Sequence, residues 1–163
     1  MILADGQDVR HLVPEHDPRI RLIHLEGRPE IGAKRNYGCE RAAGDHDDDY
    51  SAPGRLTDQV QRLLESGKAV TGFHSMRFTD GVRWWKYEGT PNYALGTSLC
   101  YRRDWWSAHR FPAVQVGEDN QIVAAAHAAG ELVTADAGEL MYATNHAGNT
   151  SPRKLGDNWK RIC

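Results

Sequence analysis

Four carboxylates and an imidazole occupy five consecutive positions, Asp45-His46-Asp47-Asp48-Asp49, with Tyr50 directly after them. Packed that closely the acidic groups repel one another, and none can be buried without a counter-charge. Either water solvates them or a cation sits among them. A hard divalent ion such as Mg²⁺ or Mn²⁺ takes oxygen ligands and bridges carboxylates to phosphate oxygens. The run therefore reads as a metal–phosphate site, and the same letters also describe a solvated acidic loop.

Three further groups carry chemistry. Asp5-Gly6 follows the apolar stretch Ile2-Leu3-Ala4. Ligands of open α/β sheets sit beyond the carboxyl ends of strands, so an Asp there can accept a hydrogen bond from a base or a ribose; an ordinary turn Asp has the same spelling. Lys34-Arg35-Asn36 lies a turn past a helix start, from where basic side chains reach a diphosphate, Arg bidentately. Val116-Gly117-Glu118-Asp119 opens a helix. Carboxylates at a helix N-terminus are held ionised, so Asp119 can serve as general base if it reaches an acceptor hydroxyl. An N-cap with acidic first-turn residues fits the same letters. Between the acidic run and Glu118 lie Trp84, Trp85, Tyr87, Trp105 and Trp106. Sugar rings stack on aromatic faces, but at least one member of each tryptophan pair is expected in the core.

The elements that must position these groups follow from hydrophobic period and punctuation. Residues 2–4 end a buried strand, residues 9–13 form a short helix, and residues 19–25 alternate as a strand. Residues 29–43 read as a helix, with Pro29 in its first turn and Gly44 as its stop. Ser51, Pro53 and the apolar set Leu56, Val60, Leu63 and Leu64 define a second helix closed by Gly67. Residues 69–74 form a buried strand. Residues 76–78 and 82–87 form two strands turning at Asp80-Gly81. A short strand at 98–101, a helix at 103–109, a helix at 118–129 and strands at 132–135 and 140–144 follow, and the tail from Asn145 reads as irregular. Alternating helices and strands with one hairpin imply α/β architecture with a mostly parallel sheet.

Length and charge bound the rest. The 163 residues suit one domain, 1–163. Twenty Lys plus Arg against 22 Asp plus Glu give a net charge of −2, which argues against bulk nucleic-acid or anionic-membrane binding. Cys39, Cys100 and Cys163 form neither a zinc pattern nor a disulfide framework, and no apolar run reaches membrane-spanning length. With Asp5 so close to Met1, the expectation is no secretory signal and a cytoplasmic location.

In order and approximate spacing these groups resemble the family 2 glycosyltransferases, which have the GT-A fold. That family has a strand ending in a V-D-D-G-S-type turn, a helix with an A-R-N-type segment, a D-x-D or D-D-D-D-W segment, and an E-D near a later helix start. The matching residues here are Ala4-Asp5-Gly6, Gly32-Ala33-Lys34-Arg35-Asn36, Asp47-Asp48-Asp49-Tyr50 and Gly117-Glu118-Asp119. Ser51-Ala52-Pro53-Gly54-Arg55-Leu56, Gly96-Thr97-Ser98-Leu99-Cys100-Tyr101-Arg102-Arg103 and the tail His146-Ala147-Gly148-Asn149-Thr150-Ser151-Pro152 are similar to further family segments. The resemblance implies metal-dependent, inverting transfer of a sugar from a nucleotide-diphosphate donor to an acceptor hydroxyl. Asp47, Asp48 and Asp49, with His146, would hold Mn²⁺ or Mg²⁺. Asp5, Lys34, Arg35, Asn36 and Asp47 would bind the donor. Asp119, with Glu118, would supply the base. The acceptor, whether glycan, lipid or protein, is not specified.

The chain departs from the family at two places. The strand and helix before the D-D-G turn are expected to be missing, and no room exists between Gly44 and Asp45 for the apolar strand that precedes the acidic run. A truncated, internally deleted domain lacking the usual first strand is therefore expected, with open sheet edges and exposed apolar surface that favour a homo-oligomer or a completing partner chain. Two rival readings remain: a non-catalytic remnant that binds nucleotide or glycan, and another Asp-cluster metal enzyme such as a phosphohydrolase.

Overall fold

The computed structural model describes residues 2–5, 22–41, 49–146 and 156–162. The expected helix at 9–13, the Asp5-Gly6 turn beyond Asp5, residues 42–48 with Asp47 and Asp48, and the 147–152 motif lie outside the described residues.

The centre of the fold is β4, Val70–Thr79, buried along nearly its whole length. Burial at nearly every position, including Thr71, Ser75 and Thr79, is what a strand with both faces covered shows. The two short strands expected at 69–74 and 76–78 are this single element, because Ser75 continues the extended backbone. Along one edge β4 pairs in parallel first with β7 (Leu132–Asp136) and then with β8 (Met141–Thr144). Along the other it pairs antiparallel with β6 (Cys100–Tyr101) and then β5 (Trp84–Glu88). β3 (Tyr50–Ser51) and β9 (Trp159–Arg161) close the outer edges on β8 and β5. The sheet is thus mixed rather than mostly parallel, because the hairpin and both outer strands run antiparallel to their neighbours.

The β4–β5 hairpin turns where Asp80-Gly81 predicts. Asp80 Oδ1 accepts the backbone N–H groups of Arg83 (2.7 Å) and Val82 (3.1 Å), and Oδ2 accepts from the Arg83 guanidinium. These donors, the Arg83 N–H foremost, hold the Asp80 carboxyl at about 2. β9 corrects the expectation of an irregular tail: Trp159 packs on Phe78 and Tyr87, with ring centroids 4.8 and 5.3 Å away. Three charged or polar residues around one aromatic give too little period to read such an edge strand in advance.

A separate two-stranded parallel sheet joins β1 (Ile2–Asp5) to β2 (Leu22–Leu25). α1 (Ile31–Arg41) packs on α4 (Glu118–Ala128), which lies against β7, and α2 (Arg55–Ser66) crosses β4, β6 and β7. The short α3 (Arg103–Ala108) buries Trp106, and β5 buries Trp85, so one member of each tryptophan pair is core, as expected. The apolar face assigned to α2 is corrected. Arg55, Gln59 and Leu63 face inward, whereas Leu56, Val60 and Leu64 form an outward stripe, Leu64 being 78 % exposed. The inward polar groups find partners: Gln59 Nε2 donates to buried Ser98 O (2.6 Å), and Arg55 Nη1 to Ser51 Oγ on the edge strand β3 (3.3 Å). Ser51, expected at the helix start, lies instead in β3. No described helix is long and apolar enough to cross a membrane.

Candidate functional site

A single 3-10 turn, Gly96–Ser98, gathers the candidate residues. It is clamped to β4. Leu95 N–H donates to Phe73 O (2.9 Å), Phe73 N–H donates to Ser98 Oγ (2.7 Å), and Ser98 Oγ donates to Leu95 O (2.7 Å). The Gln59 amide described above fixes it from α2. Gly72 lets the turn approach the strand, since a Cβ there would lie 2.8 Å from Ala94 Cβ.

Asp49, the last acid of the run, reaches this turn from one side. Its Oδ2 accepts the Thr97 hydroxyl, and its Oδ1 accepts the Thr144 backbone N–H at 3.1 Å. Asp119 reaches it from the other. A Cβ on Gly96 would sit 1.6 Å from Asp119 Oδ2, so that carboxylate lies directly against the Gly96 backbone. Adjacent residues of one turn therefore touch Asp49 and Asp119, and neighbouring Cα atoms are about 3.8 Å apart. His146 is exposed and stands two residues beyond Thr144, at the end of β8. Asp5 ends β1, as expected, on the separate two-stranded sheet.

The local sequence explains the position of Asp119. Gly117 takes a left-handed φ of 82° to turn the chain into α4, a conformation that costs other residues more. Glu118 and Asp119 then fall in the first helical turn, where the helix dipole favours negative charge. Their environments diverge. Asp119 is partly exposed, whereas the Glu118 side chain is only 7 % exposed and pairs with Arg35, Nε to Oε1 at 3.2 Å. Burial pushes the Glu118 carboxyl above its usual range, and the Arg35 charge opposes that shift. Arg35 Nη1 also donates to Gly96 O (3.2 Å), and its guanidinium lies 5.2 Å from the Phe111 ring centroid. Arg35 thus ties α1 to both the α4 start and the turn.

Asn36 is built into the scaffold. Its Nδ2 donates to Phe111 O (2.8 Å), and its Oδ1 accepts from Phe111 N–H (3.0 Å) and Trp106 Nε1 (3.1 Å). Gly32 permits the close seating of α1 that these contacts need, because a Cβ there would fall 1.7 Å from Pro112 O. Lys34, one residue before Arg35, sits partly buried on α1.

Among the described residues no group of three or more His, Cys, Asp or Glu side chains is placed to hold a metal. The donor chemistry of the acidic run still suits a hard cation. Each Asp49 oxygen spends one lone pair on a hydrogen bond and retains another. Gly96, Thr97 and Gln59 are the residues whose roles sequence reasoning left unassigned. The available signals were the similarity of the 96–103 segment to the family and a glycine followed by two hydroxyl residues, and neither reveals what the turn touches.

A family model described as glycosyl transferase family 2 matches residues 2–125. No curated protein matches the chain. Among solved structures, the chain resembles S. aureus TarS residues 1–349 in complex with UDP-GlcNAc, with a TM-score of 0.62 and 20 % identity. The likeness covers 83 % of this chain and 45 % of that one, so the chain spans less than half of the TarS fragment. The α/β, GT-A-like architecture expected from the motifs is the one observed. With the family model covering most of its length and the motif residues Arg35, Asp49 and Asp119 meeting at one turn, the chain belongs to glycosyl transferase family 2.

Proposed function

We propose that this domain transfers a sugar from a nucleoside-diphosphate donor to an acceptor hydroxyl with inversion, and that Asp119 is the general base. The observation supporting this reading is the Gly96–Ser98 turn, which touches Asp119 at Gly96 and Asp49 at Thr97. A base and an anion-neutralising site must lie within one substrate length of each other for in-line displacement, and one short turn sets that spacing. Asp119 is partly exposed and can meet an incoming hydroxyl.

Asp47 and Asp48, with Asp49 and His146 at the margin, would hold Mn²⁺ or Mg²⁺. That ion would supply positive charge against the donor diphosphate. Asp49, the last residue of the run, is held by its hydrogen bonds to Thr97 and Thr144. Lys34 would add positive charge for the diphosphate, and Asp5 a hydrogen-bond acceptor for the base. Arg35 and Glu118 act as a positioning pair. Glu118 aligns the guanidinium, which in turn holds Gly96 O and with it the surface against which Asp119 rests. Asn36 keeps α1 and the 106–111 segment in register for that purpose.

Calorimetry with UDP and GDP, with and without Mn²⁺, tests the donor site. UDP release from UDP-GlcNAc, compared between wild type and Asp119→Asn, tests the base. The expected result is Mn²⁺-dependent nucleotide association in both proteins, with turnover falling about a hundredfold or more in the variant. Nucleotide binding that ignores Mn²⁺, or an unimpaired Asp119→Asn protein, would overturn the reading.

A further inference from the structure

Tyr142 alternates away from the core in β8. Its neighbours Met141 and Ala143 belong to the buried cluster, so Tyr142 stands on the opposite face of the sheet. There the β3–β8 register places Tyr50 opposite it, with ring centroids 4.7 Å apart and planes inclined by 14°. Trp84 meets Tyr142 edge-on at 5.0 Å and 73°. Tyr50 is the outer ring and is 43 % exposed. An exposed stacked aromatic on a two-residue edge strand contributes little to a core and leaves an apolar face toward water.

The position of this face is informative. Tyr50 is the residue after Asp49, and Thr144, two residues from Tyr142, donates its N–H to Asp49. Arg35 and Asp119 touch the turn at Gly96, whereas Asp49 touches it at Thr97, so the aromatic face lies on the acidic-run side of the candidate site. Polar groups border it. The Arg77 guanidinium lies 5.9 Å from the Trp84 ring centroid and pairs with exposed Glu139 at 2.5 Å. Flat aromatic rings edged by a charged donor and acceptor match the chemistry of a sugar, which presents C–H groups on its faces and hydroxyls around its rim.

We infer that Tyr50, backed by Tyr142 and Trp84, is the stacking platform for a sugar ring of the acceptor, an assignment that rests on the glycosyl-transfer reading for its ligand class. The platform continues directly from the acidic run, so a ring seated on Tyr50 belongs to the same substrate path. A nucleobase could also stack on such a ring, and the experiment separates the two.

Wild type, Tyr50→Ala and Tyr50→Phe are titrated with chitotriose, cellotriose and maltotriose by saturation-transfer NMR, and in parallel with UDP and Mn²⁺ by calorimetry. The expected result is saturable binding of at least one trisaccharide, weakened about tenfold in Tyr50→Ala and retained in Tyr50→Phe, with UDP binding the same in all three. Absence of binding by every trisaccharide, or unchanged binding in Tyr50→Ala, overturns the platform. Loss of UDP binding in Tyr50→Ala also overturns it, in favour of a base-stacking role. If wild type binds a trisaccharide through Tyr50 but no UDP, the platform stands and the donor site fails. Far-UV dichroism of each variant confirms that the exposed substitution leaves the fold intact.

Discussion

Replacing Gly96 by Ala isolates the contact on which the proposed chemistry depends. Gly96 has no left-handed φ, so the substitution introduces no backbone strain and acts through space alone. The new methyl would lie 1.6 Å from Asp119 Oδ2, 2.4 Å from its Cγ and 2.6 Å from its Cβ. Contacts below 3.0 Å are essentially never occupied, so the carboxylate oxygen must move by about 1.4 Å. Rotating the Asp119 side chain frees the oxygen but not its Cβ, so the turn or the α4 start must also shift. Misplacing a catalytic group by about 1 Å costs roughly a hundredfold in rate, and overpacking of this kind costs about 1–3 kcal/mol in stability. Gly96→Ala is therefore expected to release UDP from UDP-GlcNAc at about a hundredth of the wild-type rate, with a lowered urea midpoint and intact Mn²⁺-dependent UDP binding. Wild-type turnover together with a wild-type urea midpoint would refute the geometry, since the methyl would then have had somewhere to go without disturbing Asp119.

Other consequences can be checked by standard measurements. Because burial raises the Glu118 carboxyl in the folded state, the folded protein holds that proton more tightly than the unfolded chain. The Glu118 contribution to stability is thus full below the ordinary value of 4.5 and is lost as pH rises through the folded value. Urea midpoints of wild type relative to Glu118→Gln should accordingly fall from pH 4 upward, and a rise instead would contradict the assignment. Asn36→Ala strands the Phe111 N–H and C=O and the Trp106 indole N–H, so a loss of about 2–4 kcal/mol is expected by chemical denaturation. On α2, Leu63→Ala should cost about 2–4 kcal/mol. Leu64→Glu on the exposed stripe should stay within about 0.5 kcal/mol of wild type, and equal costs at the two sites would contradict the orientation of the helix.

Local chemistry made much of the fold legible. Glycines after apolar periods marked the ends of α2 and α4, Asp80-Gly81 marked the hairpin, and the apolar run 69–74 marked the central strand, because caps, turns and periods act over a few residues. The acidic run and the Glu118-Asp119 pair were equally visible, since like charges crowded in sequence need water, a cation or a helix N-terminus wherever they fold. Tertiary structure alone decided how they are used. The Thr97–Asp49 bond joins residues 48 positions apart and the Arg35–Gly96 bond spans 61, separations at which no periodicity carries information. The same holds for α2, whose apolar residues spelled an inward face. Of those residues only Leu63 points inward; Gln59 and Arg55 share its face, held by hydrogen bonds to Ser98 O and Ser51 Oγ that the sequence does not foretell. Neighbouring Glu118 and Asp119 look alike in sequence, but burial against Arg35 gave one a charge pair and left the other partly exposed.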